Sequence, residues 1–141
     1  MHKHTPVRVA VVGMGNVGAT FAYSLLLSGL AAEIVLIDVN RAKSEGEAMD
    51  LNHTEPFAHP TRILAGDYRD CAGAAVTLVT AGAAQLPGET RLALVKRNYE
   101  IFSRIIPEVA RNNPDGIILI ATNPVDVLTY VSLKLSGLSA K

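Results

Sequence analysis

Between a short β-branched run, Val7–Val12, and an apolar stretch beginning at Asn16, the chain reads Gly13-Met14-Gly15-Asn16-Val17-Gly18. This G-x-G-x-x-G restricts the fold more than any other feature of the 141 residues, because its setting demands a strand, a tight turn and then a helix. Glycine-rich turns alone are common, so the context carries the argument. Gly13 serves the tight turn, Gly15 lets a pyrophosphate reach the backbone, and Gly18 lets helix and strand pack closely. The helix start that follows adds free amides and partial positive charge facing an anion. Asp38 ends the second apolar run about twenty residues beyond Gly18. A carboxylate there accepts hydrogen bonds from a ribose diol and repels a 2′-phosphate, which favours NAD over NADP. The purely structural alternative is a strand-to-helix turn with a capping Asp.

The rest of the chain supplies a matching frame. Asn16–Ser28 is predicted as a helix in which Val17, Phe21 and Leu25 share one face, with Gly29 as its stop. Ile34–Ile37 is the second strand, and Asn40 is an N-cap for a helix reaching about Asn52. Thr61–Ala65 and Ala75–Thr80 read as strands three and four. Thr90–Asn112 carries a helical stripe of Leu92, Val95, Tyr99, Phe102, Ile106 and Val109, in which Pro107 predicts a bend or a junction of two helices. Ile117–Ala121 is a fifth strand and Pro124–Ser136 a helix closed by Gly137. Apolar strands alternating with helices require a parallel sheet covered on both faces. Handedness then favours a doubly wound α/β fold in the order 3-2-1-4-5, with the ligand crevice where the winding reverses.

Composition excludes several classes. Thirteen Lys and Arg balance thirteen Asp and Glu, so no basic field exists to displace counterions from nucleic acid or anionic lipid. Charged residues make up 18% and hydrophobic ones 49%, the profile of a rather apolar globular domain. Residues 9–32 lack charge, but glycines interrupt them and the unbroken part, about Phe21–Ala32, is too short for a bilayer. Cys71 is the one cysteine, no Cys/His cluster has metal-ligand spacing, and a reducing, cytoplasmic compartment is the expectation. His2 and His4 sit in an arm expected to fray, and His53 and His59 read as structural. Cys71 has no neighbouring activator in sequence and reads as an inert thiol.

Further segments add specificity: Glu47-Ala48-Met49-Asp50-Leu51-Asn52-His53, Thr80-Ala81-Gly82-Ala83-Ala84-Gln85, Pro87-Gly88-Glu89-Thr90-Arg91-Leu92 and Ala121-Thr122-Asn123-Pro124-Val125-Asp126. With the glycine turn they make the chain resemble the amino-terminal, cofactor-binding half of the lactate/malate dehydrogenase family, most closely its bacterial L-lactate dehydrogenases. The resemblance implies a Rossmann-type domain over residues 1–141, NAD as cofactor, and a small 2-oxo or 2-hydroxy acid such as pyruvate or lactate as substrate. It makes Gly82–Arg91 a loop that closes over substrate, with Arg91 polarising the substrate carbonyl, a role that suits a permanently charged guanidinium. Cations sit poorly at helix N-termini, which disfavours a purely structural Arg91.

Gln85 falls at the substrate-selecting position. A neutral amide suits the methyl of pyruvate, whereas the second carboxylate of oxaloacetate needs a cation opposite it. Asn123 would contact substrate and nicotinamide ribose across a cis Asn123–Pro124 bond; locally, Asn123 as N-cap and Pro124 at N1 explain both residues. Ala81 and Gly82 would be a second point of close cofactor approach. Ala93 departs from the family, which often has an acid there, and this predicts a weaker helix start.

The resemblance further implies a sixth strand and a catalytic domain beyond Lys141, carrying the proton-transferring histidine, its aspartate and the carboxylate-binding arginine. It also implies a homo-oligomer in the complete enzyme. The chain alone is therefore expected to bind cofactor with negligible turnover. A malate dehydrogenase and a stand-alone NAD-binding or redox-sensing module are the alternatives.

Overall fold

The alternation read from the sequence is realised as five strands in one sheet. A computed structural model describes residues 7–139; His2 and His4 lie outside them. The elements are β1 (Arg8–Val12), α1 (Asn16–Ser28), β2 (Glu33–Ile37), α2 (Arg41–Thr54), β3 (Arg62–Ala65), β4 (Val76–Val79), α3 (Arg91–Asn112), β5 (Ile117–Ile120) and α4 (Val125–Ser136), with 3-10 turns at Glu55–Phe57 and Tyr68–Cys71. All pairings are parallel and the order is β3-β2-β1-β4-β5. The winding reverses between β1 and β4, as the doubly wound reading requires.

Side chains alternate across the strands and feed two cores. Val9, Val11, Ile34, Leu36, Ile63 and Leu78 meet Ala22 and Leu26 of α1 and Ala48 and Leu51 of α2. On the opposite face Ala10, Val12, Val35, Ile37 and Val79 meet Phe102, Ile106 and Val109 of α3 and Leu128 of α4. The central strands β1 and β2 are buried through four successive residues each, which explains their unbroken apolar sequences.

Four details refine or correct the sequence reading. The fully buried line of α1 is Gly18, Ala22 and Leu26; of the Val17–Phe21–Leu25 face, Phe21 and Leu25 pack half-buried against the same core while Val17 is 60% exposed. Small residues win this contact because the helix start must lie against the glycine turn. Pro107 lies inside one continuous helix rather than at a junction, on its exposed side. The stripe of α3 is buried only from Phe102 onward, while Leu92 and Tyr99 are exposed. Finally, β5 is an edge strand whose Ile117 and Leu119 remain half-exposed, so the expectation that every strand is covered on both faces fails there.

Candidate functional site

A crevice of about 590 Å³ opens at the carboxyl ends of β1 and β4, the reversal point of the sheet. Gly13, Gly15, Asp38, Ala81 and Gly82 line it, together with Thr80, Tyr68 and Arg97. Gly13 has φ +102°, a region glycine alone adopts readily, and a Cβ there would lie 2.5 Å from the Ala81 nitrogen. At Gly18 a Cβ would fall 1.9 Å from the Gly13 carbonyl oxygen. Gly15 differs in kind: a Cβ there meets nothing within 4 Å. Two glycines thus answer to the protein's own packing, while the third faces open space.

Hydrogen bonds fix the turn. The Gly13 amide donates to the Ile37 carbonyl at 2.7 Å, and the Thr80 hydroxyl donates to the Gly13 carbonyl at 2.7 Å. Met14 buries its side chain completely and donates its amide to Asp38 Oδ2 at 2.6 Å. The other oxygen of Asp38 accepts from the Asn40 amide at 2.8 Å. Asp38 therefore clamps the end of β2 to the glycine turn, and each oxygen keeps lone-pair capacity toward the crevice. The amides of Gly15, Asn16 and Val17 meet no acceptor among the described residues. Unclaimed amides at a helix start, beside open space and a carboxylate, fit the pyrophosphate and ribose of a dinucleotide.

The rim carries the remaining expected residues. Gln85, Arg91 and Asn123 are exposed and stand outside the crevice lining. Arg91 opens α3 and forms no ion pair with a described residue. Its helix start is secure despite Ala93, because Thr90 Oγ1 accepts from the Ala93 amide at 3.2 Å; the expected weakening is offset by this cap. Gln85 Nε2 donates to the Glu89 carbonyl at 2.9 Å. The Asn123–Pro124 bond is cis, and Pro124, not Asn123, is the N-cap of α4. The capping explanation of Asn123 therefore fails, and its side chain is left without a structural task.

Residues not singled out in the sequence hold this rim together. Asn98, buried on α3, accepts from the Ala83 amide at 2.7 Å and donates to the Asn123 carbonyl at 3.3 Å. Thr122 donates to the Ala81 carbonyl at 2.8 Å, and a Cβ on Gly82 would strike Thr122 at 2.4 Å. Glu89 pairs with Arg97 at 2.8 Å. That guanidinium, aided by the Leu86 amide, holds the Glu89 carboxyl below its usual range. An Asn inside an otherwise helical stripe was the only local signal, since every partner is remote in sequence. His53 and His59 do not line the crevice, and His59 packs against Gly29. Cys71 is fully buried, and burial pushes its thiol up to about 11. Among the described residues, no helix is long and apolar enough to cross a membrane.

A parallel sheet reversing beside β1, an open helix start and an acid at the end of β2 define a dinucleotide-binding domain of the Rossmann type. The sequence matches the family described as lactate/malate dehydrogenase, NAD binding domain, over residues 7–141. The chain belongs to that family. It is 57% identical over 135 residues to a probable L-lactate dehydrogenase of Schizosaccharomyces pombe, covering 96% of this chain and 41% of that protein. It is 59% identical over 130 residues to the L-lactate dehydrogenase of Acetivibrio thermocellus, covering 92% and 41%. A minor L-lactate dehydrogenase from Enterococcus mundtii superposes with a TM-score of 0.91 at 44% identity, covering 95% of this chain and 43% of that one. A lactate dehydrogenase from a Medee basin deep-sea metagenome library gives 0.90 at 47% identity, covering 95% and 43%. The chain thus spans about two-fifths of the length of the relatives it matches.

Proposed function

We propose that this chain is the cofactor half of an NAD-dependent L-lactate dehydrogenase. The observation that carries the reading is the set of unclaimed amides at Gly15, Asn16 and Val17, opening on space that no side chain fills, in a chain 57% identical to a probable L-lactate dehydrogenase. Those amides hold the pyrophosphate; Gly13, Met14 and Gly18 keep the turn in shape beside it. Asp38 accepts from the adenosine ribose while clamping Met14. Ala81 and Gly82 admit the nicotinamide end, and Asn123 holds its ribose and the substrate. When bound, NADH supplies the hydride that reduces a 2-oxo acid.

Arg91 polarises the substrate carbonyl and stabilises the negative charge that develops on its oxygen. Gln85 selects a neutral substituent such as the methyl of pyruvate, since a second carboxylate would find no matching charge on it. Neither described histidine lines the crevice; the family resemblance assigns the proton donor and the carboxylate-binding arginine to the part of the family's length this chain does not span. The 141-residue chain alone then binds NADH with negligible turnover, and the complete protein is a homo-oligomer acting in the cytoplasm.

Pyruvate-dependent NADH oxidation by the full-length protein tests the reading. The expected result is a clear preference for pyruvate over oxaloacetate, reversed in favour of oxaloacetate by Gln85→Arg. Higher kcat/KM for oxaloacetate in the parent protein would instead identify a malate dehydrogenase.

A further inference from the structure

The segment 83–90 is an exposed connection, yet the side chain of Glu89 is only 9% exposed. The chain is folded around this carboxylate. Oε2 accepts from the Leu86 amide at 2.9 Å, and both oxygens accept from Arg97 Nη1 of α3, at 2.8 and 2.9 Å. The backbone of the same residue receives the Gln85 side chain, and Arg97 also reaches the Ala84 carbonyl at 3.4 Å. One residue further along α3, Asn98 holds the Ala83 amide. The start of the segment and its penultimate residue Glu89 are therefore tied to adjacent positions of one helix, and Thr90 caps the start of that helix.

We propose that Glu89 and Arg97 form a latch that sets the shape of segment 83–90, and through it the placement of Gln85 at the crevice rim. Both are positioning residues; neither needs to touch substrate. The inference rests on the proposed role of Gln85 for its kinetic consequence, but not for the latch itself. Charge-assisted hydrogen bonds from a guanidinium nitrogen to a shielded carboxylate are the stronger kind. The bond from Gln85 to the Glu89 carbonyl lies within the segment and cannot attach it to α3, and Asn98 holds only its first residue, Ala83.

Glu89→Gln is the informative change because it preserves shape. Its amide oxygen still serves the Leu86 amide, but its NH2 faces the Arg97 guanidinium, donor against donor. In the full-length protein carrying this chain, hydrogen exchange of residues 83–92 and the separate KM values for NADH and pyruvate are compared among parent, Glu89→Gln and Arg97→Lys. The latch predicts about tenfold faster exchange at Leu86 in Glu89→Gln, the loss of one charge-assisted bond. It also predicts a comparable rise in the pyruvate KM, with the NADH KM within about twofold. Arg97→Lys, which keeps the charge and one donor nitrogen, stays closer to the parent in both readouts. Unchanged Leu86 exchange in Glu89→Gln overturns the proposal, as does a parallel rise of both KM values, which marks general destabilisation. If the parent protein does not turn over pyruvate, the functional reading fails while the exchange comparison still decides the latch.

Discussion

Gly15 and Gly18 lie three residues apart in one motif, and the structure predicts opposite consequences for the same substitution. At Gly18 an added methyl would sit 1.9 Å from the Gly13 oxygen and 2.7 Å from Thr80 Oγ1, where ordinary contact begins near 3.4 Å. The start of α1 must retreat by more than an ångström, which strains the packing by about 1–3 kcal/mol. The retreat also weakens the 2.7 Å bond from Thr80 to Gly13, a further ~1 kcal/mol. Alanine's helix preference returns about 1 kcal/mol. Gly18→Ala should therefore lose about 1–3 kcal/mol, which lowers the urea midpoint by about 1 M for a chain of this size.

At Gly15 the methyl meets nothing and the backbone φ is −73°, a value any residue adopts. The lower entropy of the unfolded alanine chain and the poorer N-cap nearly cancel, so stability should change by less than about 1 kcal/mol. That methyl, however, occupies the space left for pyrophosphate, and the NADH Kd should rise at least tenfold, roughly 1.4 kcal/mol. Urea unfolding and titration by NADH emission separate the two effects; the absence of Trp leaves the emission window clear. The reasoning is refuted if Gly18→Ala is as stable as the parent, or if Gly15→Ala binds NADH as tightly.

Three further outcomes are expected. Asp38→Ala strips the acceptors from the Met14 and Asn40 amides; it should cost about 2 kcal/mol in urea unfolding and weaken NADH binding in the same preparation. The buried Cys71 thiol, held up to about 11 by its surroundings, should resist a thiol-specific disulfide reagent at pH 8 until urea unfolds the chain; prompt reaction of folded protein would contradict its burial. Asp67, held down to about 2 by the Arg69 side chain and amide, caps the turn Tyr68–Cys71. Because its pKa is depressed on folding, its stabilisation is present above the ordinary Asp value and disappears as pH falls through about 2. Asp67→Asn should therefore flatten the decline of Tm between about pH 4 and pH 2.

The frame was legible because its causes are local. A β-branched run, three glycines at fixed offsets and an acid after the next apolar run each dictate backbone shape within a few residues. The order of the strands follows once crossovers share one hand. The Gly29 stop is equally local and lies where the sequence puts it.

The rim residues Gln85, Arg91 and Asn123 could be named from resemblance, but most of the bonds that hold the site together were not legible, because their partners are far apart along the chain. Thr80 bonds Gly13 across 67 positions, Asp38 bonds Met14 across 24, and Asn98 reaches Ala83 across 15 and Asn123 across 25. No periodicity encodes such pairs. The same holds for α1, where four-residue spacing shows which residues share a face but not which face meets the sheet. Sequence alone therefore determined the order of elements, the place of the crevice and the preference for a dinucleotide. Tertiary structure alone decided that Asp38 is also a clamp, that Gly18 is demanded by packing while Gly15 is free of it, and that Glu89 gathers the rim. Backbone conformation answers to neighbouring residues, whereas the side chain that fills a given space depends on which distant segment the fold brings there.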